Sequence, residues 1–357
     1  MSKAAELAAL IGSQTALSNR NLIINGAMQV AQRGTSSTDN TYGSVDRYQL
    51  SRNATDELVV TQSQDSDNPA GQGFAYSFKV NITTAESALA ADENLNFHQR
   101  IEGQDLQHLE KGTSSAKSTT VSFWVKSNTT GTYVFELRDE DNNRHAAKTY
   151  TIDSANTWEK KTITIAGDTT GALDNDANRS MDVRWWLAAG SNYTSGTLPT
   201  GWAALTTANR AVGQVNLMAS TNNWYITGIQ WEIGDVATAF EHRSFADELA
   251  RCHRYYQTFT NSAMFAGTTN GSTQITNIGV PLVTSLRAAP TASTLAATPT
   301  AWHSSSGGIS GATTAPTFTV NAGHPATIKM NVTGFSGLTD NRTATIALNG
   351  LVLDSEL

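Results

Sequence analysis

The chain is poor in charge and almost without cysteine. Asp, Glu, Lys and Arg make up 15% of its 357 residues, against about 25% in ordinary soluble domains. Its single cysteine, Cys252, excludes an intramolecular disulfide and any multi-cysteine metal centre. No basic run occurs, and 24 basic against 31 acidic residues leave a net charge of −7. That excludes a nucleic-acid partner, because phosphate binding needs clustered cations. No apolar run approaches the ~20 residues of a spanning helix, so membrane insertion is not expected. The opening MSKAAELAALIG lacks the long apolar core and cleavage site of a secretory signal. Synthesis in the cytoplasm is expected, with another route to any extracellular site. Gly-x-Ser-x-Gly, His-Glu-x-x-His and phosphate-loop patterns are missing and the seven histidines are scattered. No catalytic residue, metal or cofactor is expected.

Thr, Ser, Asn, Gly and Ala fill the space that charge leaves. Thr suits a pleated surface, and Asn and Gly suit tight bends. From Asn21 to about Arg243 the pattern is β, beginning with LIINGAMQV, broken at Asn25-Gly26. Short alternating segments follow, among them TVSFWVKS, TYVFELRDE, WEKKTITIAG, MDVRWWLAAG and NWYITGIQWEIG. Turns rich in Gly, Asn and Asp separate them, which predicts an antiparallel sandwich or jelly roll. Within it, GQDLQHLEKG reads as a helix capped by Asp105 and closed by Gly112. No fixed-period repeat supports a β-helix or propeller.

Two further helices are expected. Residues 1–20 begin with one capped by Ser2 and stopped by Gly12, with Leu7, Leu10 and Ile11 on one face. So short a helix is marginal alone and must dock on something. Residues 244–257 form the second. Ser244 and Asp247 make a capping box, and Phe245, Leu249, Cys252 and Tyr256 share a face, which makes Cys252 a core residue. This connecting helix joins residues 21–243 to a smaller β domain, 258–357. There the charges reduce to Arg287, Lys329, Asp340, Arg342, Asp354 and Glu356, and TATIALNGLVLDSEL reads as a closing hairpin about Asn349-Gly350. A surface so poor in charge fits packing against identical copies. The fold class is therefore all-β: an antiparallel jelly-roll β-sandwich, a smaller C-terminal β domain, a short N-terminal helix and one connecting helix.

NLIINGAMQVAQRG, SVDRYQLS, QRIEG, SFWVKS, TWEKKTITIAG and IQWEIGDVATAFEHRSFADELARCHRYYQ, with the ending LDSEL, resemble a family of bacteriophage tail-fibre and minor structural proteins. The resemblance covers residues 21–257 well and the remainder loosely. It implies a carbohydrate-binding type of jelly roll on a virion protein that is commonly trimeric. Residues 1–20 would then trimerise or attach to other virion proteins. The expected partners are identical subunits in a homotrimer, other virion proteins and a bacterial surface polysaccharide, and the expected location is the virion, released by lysis.

Sugar recognition needs aromatic faces beside polar groups. Alternation in MDVRWWLAAG sends Met181, Val183, Trp185 and Leu187 to the core and turns Asp182, Arg184 and Trp186 outward. TVSFWVKS likewise turns Ser122, Trp124 and Lys126 outward. The loop after MDVRWWLAAG adds Tyr193 and Trp202. These six, Trp124, Asp182, Arg184, Trp186, Tyr193 and Trp202, are the candidate glycan contacts; the alternative for an outward tryptophan is packing under a loop or against a sister subunit. Trp158, Trp185 and Trp231 read as core. The acidic stretches RDEDNNR and LDNDANRSMD fall at strand ends, where solvated carboxylates are ordinary. A ligand-free structural adaptor or capsid-attached fibre, and a polysaccharide depolymerase with a carboxylate pair, are the alternatives.

Overall fold

A computed structural model describes residues 19–53, 57–86, 88–259, 263–294, 300–303, 309–312, 317–324, 327–348 and 350–357. Leu7, Leu10 and Ile11, and the helix expected around them, lie outside the described residues. The chain divides into two compact units, one ending at Glu248 and the other starting at Leu249.

The first unit holds β1 (Ser36–Ser37), β2 (Tyr48–Asn53), β3 (Val59–Asp65), β4 (Ser77–Thr84), β5 (Asn94–Glu102) and β6 (Thr119–Ser127). It continues with β7 (Gly131–Asp139), β8 (Arg144–Ile152), β9 (Glu159–Ile165), β10 (Arg179–Ala189), β11 (Ala203–Ala204) and β12 (Asn223–Ile233). Two antiparallel six-stranded sheets result, ordered β1-β3-β4-β12-β6-β9 and β11-β8-β7-β10-β5-β2. Successive strands repeatedly change sheet, giving a jelly-roll sandwich. The expected alternation fills its interior. Val121, Phe123 and Val125 from one sheet, and Met181, Val183, Trp185 and Leu187 from the other, join one buried cluster. Trp185 sits at its centre, 5.1 Å from the Phe135 ring, 5.5 Å from Phe123 and 5.7 Å from Phe97. Each such aromatic removes a large apolar area from water and adds an edge-to-face contact.

The structure departs from the predicted elements in four places. Residues 21–33 form no strand. Asn21 instead clips this segment to β12, its Nδ2 donating to Ile229 O at 2.9 Å and its Oδ1 accepting from Trp231 N at 3.0 Å. Asn25, at φ 60°, bonds Val30 through both side-chain atoms. A Cβ at Gly26 would collide with the Ile229 carbonyl, so this turn demands glycine. Second, GQDLQHLEKG makes two 3-10 turns, Gly103–Asp105 and Gln107–Leu109, without a side-chain cap from the residue preceding either.

The third departure is the helix at the unit boundary, which spans Phe245–His253 only. The capping box is present, with Asp247 N donating to Ser244 Oγ at 3.1 Å and Ser244 Oγ donating to Asp247 Oδ2 at 2.6 Å. Cys252 is fully buried, but Phe245 is 55% exposed and Tyr256 already opens a strand. Helical periodicity grouped those positions, yet only part of the stripe has a partner to pack against.

The second unit comprises β13 (Tyr256–Phe259), β14 (Ala263–Asn270), β15 (Gln274–Pro281), β16 (Thr291–Thr294) and β17 (Thr300–His303). Then come β18 (Ile309–Ala312), β19 (Thr317–His324), β20 (Thr327–Thr333), β21 (Thr343–Leu348) and β22 (Leu351–Asp354). These form a three-stranded sheet, β13-β22-β16, and a seven-stranded sheet, β18-β17-β21-β14-β15-β20-β19. The predicted closing hairpin is thus absent: β21 pairs with β14 and β17, and β22 with β13 and β16. The chain changes sheet near Gly350, at φ 68°, and Leu348, Leu351 and Leu353 enter the same core from the two sheets.

Candidate functional site

The outer face of the β10 sheet carries Asp182, Arg184 and Trp186, as alternation requires, but these side chains are not open. Trp186 is 1% exposed, Asp182 is fully buried and Arg184 nearly so. Asp182 is closed in by Arg179 and Arg184, and the connection between β10 and β12 folds over Trp186. Its Tyr193 ring lies 5.3 Å from Trp186, and the Arg210 guanidinium lies 5.0 Å from the same ring. Ala211 N bonds Tyr193 O at 2.9 Å, closing the loop on itself, and Val134 N donates to Gln214 Oε1 at 2.8 Å, tying it to the sheet. Trp186, Val134, Ala147, Ala189 and Ala211 then form a small apolar cluster, with Tyr193 and Leu198 against it. The alternation is right; the exposure inferred from it is not, because a second layer covers Trp186.

The carboxylates beneath are each paired with cations. Glu136 accepts from Arg210 Nε at 2.9 Å, from Trp186 Nε1 at 3.1 Å, and lies 3.0 Å from His145 Nδ1. Burial pushes its pKa up, but the Arg210 charge and the His145 bond outweigh that and hold it far below the usual carboxylate range. Asp182 accepts from Arg179 Nε and Arg184 Nη2, both at 2.6 Å. Burial opposes its ionisation too, and the Arg184 and Arg179 charges again prevail. Tyr193, half-buried, accepts from Asn94 Nδ2 at 3.2 Å. Paired in this way, these carboxylates serve structure.

The outer face of the other sheet is more open. Strand register places Tyr225 of β12 opposite Lys79 of β4 and Lys126 of β6, and places Trp124 opposite Thr227 and Lys160. The Lys126 ammonium lies 4.4 Å from the Tyr225 ring centre and 5.3 Å from that of Trp158. Lys79 lies 5.2 Å from the Tyr225 ring centre, and the Trp158 and Tyr225 rings stand 6.1 Å apart at 66°. Asp67 binds Lys126 and accepts from Trp158 Nε1 at 2.9 Å, while Asp65 pairs with Lys79 at 3.1 Å. Burial raises the Asp67 pKa, but these two bonds bring it below its ordinary value. Trp124 and Trp158 are half-buried and Lys160 is exposed. On this surface the Trp158 and Tyr225 rings meet edge to face among the lysine–aspartate pairs, and Trp124 stands in register with Thr227 and Lys160.

Trp158 was expected in the core and lies on this face. Its position has the parity of Lys160 and Thr162, whereas Ile163 and Ile165 point inward; that signal was present in WEKKTITIAG. Tyr225, Lys79, Asp65 and Asp67 were not singled out, since only strand pairing brings them together. Trp202 lies elsewhere, partly buried against the core at one end of the sandwich. Of the six candidates, the structure gathers Asp182, Arg184, Trp186 and Tyr193, leaves Trp124 on the opposite sheet, and separates Trp202 from both groups.

Asp139, from the acidic stretch RDEDNNR, binds the buried ammonium of Lys111, which also contacts Asp168 at 3.1 Å and Gly171 O at 2.8 Å. Lysine thus supplies the cation that this oxygen cage needs. Among the described residues, no group of three or more His, Cys, Asp or Glu could hold a metal ion.

The chain matches no protein-family model and no curated protein. Among solved structures it is similar to the enzymatically active domain of tailspike protein 4 of bacteriophage CBA120, at 15% identity and a TM-score of 0.34, over 60% of this chain and 21% of that one. It thus spans about a fifth of that tailspike chain. A family 11 carbohydrate-binding module of Clostridium thermocellum, in complex with a mixed-linked tetrasaccharide, shows 14% identity and a TM-score of 0.30, over 57% of this chain and 98% of the module. A putative sugar-binding protein of Bacteroides thetaiotaomicron shows 12% identity and a TM-score of 0.34, over 60% and 100%. Likenesses of this size bear on neither ligand nor partner.

Proposed function

We propose that the chain is a non-enzymatic component of a bacteriophage virion, a tail-fibre or receptor-binding subunit that holds a bacterial surface polysaccharide on the Trp124–Trp158–Tyr225 face. One observation carries the ligand class: the half-buried Trp124 and Trp158 rings on one sheet face, Trp158 edge-on to the buried Tyr225, flanked by Lys79–Asp65 and Lys126–Asp67. Aromatic faces take the apolar side of a pyranose, and the ion-paired groups offer donors and acceptors to its hydroxyls. The virion role is supported by the family resemblance of residues 21–257. In this reading residues 1–20 attach to other virion proteins or trimerise, and several weak sites act together through effective concentration.

The test is affinity electrophoresis of the full chain through gels containing purified bacterial surface polysaccharides. Retardation by at least one is expected without release of reducing ends, and Trp158→Ala should weaken it about tenfold, equivalent to ~1.4 kcal/mol. Migration unchanged in every polysaccharide would leave the adaptor reading, and new reducing ends would favour the depolymerase.

A further inference from the structure

Where β10 begins, the charges on the outer face do not balance. Strand register sets Asp182 of β10 between Arg138 of β7 and Arg100 of β5. Arg179 binds Asp182 through Nε and Nη2, and Arg184 Nη2 holds the same carboxylate at 2.6 Å. Arg179 Nη2 also reaches Glu140 Oε1, and Arg138 Nε lies 3.0 Å from that same oxygen. Three guanidiniums, Arg138, Arg179 and Arg184, therefore share two carboxylates, which leaves one positive charge over. Arg100 Nε stands 4.0 Å from Asp182 Oδ1 beside them. The surplus arises in a chain whose net charge is −7.

Arg138 is where the surplus can be reached. Its side chain is 21% exposed, and of its three nitrogens only Nε is closed off from the surface. Nη1 and Nη2 donate to no described residue, since the contact with Glu140 engages Nε alone. Burial lowers the Arg138 pKa, and the Arg210 and Arg179 charges push it the same way against Glu140 and Asp182. A guanidinium with both terminal groups available presents two parallel N–H donors, the fork that a carboxylate accepts.

We propose that Arg138, with Arg100 and Arg179 beside it, binds a carboxylate carried by an acidic sugar of the polysaccharide. The carrier rests on the glycan-binding reading, but the site lies on the opposite sheet from the Trp124–Trp158 face. It therefore engages a separate stretch of polymer and adds to avidity. A neutral hydroxyl would leave the surplus charge in place. A phosphate dianion would bring a second negative charge against Asp182 and Glu140. A carboxylate matches the site in charge and in its pair of oxygens.

NMR of the arginine Nε–H groups of the full chain tests this, with methyl glucuronide, methyl glucoside, glucose 6-phosphate and inorganic phosphate as probes. The Arg138 resonance should move saturably with the glucuronide, bound about tenfold more tightly than the glucoside, and about 0.5 M salt should weaken the effect. Arg138→Gln should cost about tenfold in glucuronide affinity. Arg179 still holds Glu140 in that variant, so its melting temperature should be kept. Arg138→Lys retains the charge without the fork and should recover only part of the affinity. Equal affinities for glucuronide and glucoside, or a glucuronide affinity unchanged in Arg138→Gln, would overturn the assignment. Tighter binding of glucose 6-phosphate would overturn the carboxylate, and inorganic phosphate matching the glucuronide would mean an adventitious ion only. If a neutral polysaccharide still retards the chain while the glucuronide leaves Arg138 unmoved, this inference fails alone. If no polysaccharide retards the chain, the glycan-binding reading fails and takes the acidic sugar with it.

Discussion

The two outer faces of the sandwich start from the same strand alternation and finish in opposite states. On the β10 sheet, Trp186 is sealed beneath the β10–β12 connection, Asp182 and Arg184 are buried against each other, and Glu136 is saturated by Arg210, His145 and Trp186. On the other sheet, Trp124 and Trp158 remain half-buried and the lysine–aspartate pairs reach solvent. What separates the faces is how much the crossing loop covers: the β3–β4 connection reaches Lys126, Trp158 and Thr227 yet leaves Trp124 and Trp158 half-buried, whereas Trp186 is closed over. The sealed face uses its charges for rigidity; the open face keeps its rings available.

The largest expected effect breaks the sealed face. Arg210→Met leaves the Glu136 carboxylate buried without its main partner, and removing one member of such a pair costs about 3–5 kcal/mol. Chemical denaturation should show that loss, and a loss within experimental error would mean that the lid opens readily. Acid should undo the same face in two stages. Burial, aided by Arg184, holds the His98 pKa well below 6.5, so the unfolded chain binds that proton first. The stability from neutral His98 is therefore complete above about pH 6.5 and declines as pH falls toward the folded pKa. Glu136 and Asp182 have depressed pKa values, so their contribution is complete above about pH 4 and is lost as pH falls further. Melting curves across this range should show both stages, and His98→Gln should shrink the first, leaving the smaller part due to His108 and His253.

The open face should behave in reverse. Trp158→Ala and Trp124→Ala should each cost far less stability than Arg210→Met while weakening polysaccharide retardation about tenfold. The smallest effect belongs to Asp67→Asn. Its pair with Lys126 is partly solvated, and such pairs contribute about 0–1 kcal/mol; urea denaturation should show a change within that range.

The sequence made the sandwich legible because period-two alternation survives wherever one side of a strand meets a core, as in Met181, Val183, Trp185 and Leu187. It also revealed the Ser244–Asp247 capping box, a local interaction. It misled wherever a third layer decides the outcome. Nothing local to MDVRWWLAAG reveals that Tyr193 and Arg210 return to cover Trp186. Asn349-Gly350 is a hairpin signal by turn chemistry, yet the strands beside it join different sheets. Trp158 could have been placed by its parity with Lys160, whereas Tyr225, Lys79 and Asp67 meet only through pairings distant in sequence.

The most direct test is 19F NMR of the full chain labelled with fluorotryptophan, titrated with a polysaccharide that retards it. The account predicts that the Trp124 and Trp158 resonances move saturably while that of Trp186 stays in place. Movement of Trp186, with Trp124 and Trp158 unmoved, would show that the glycan enters beneath the lid and would contradict the account.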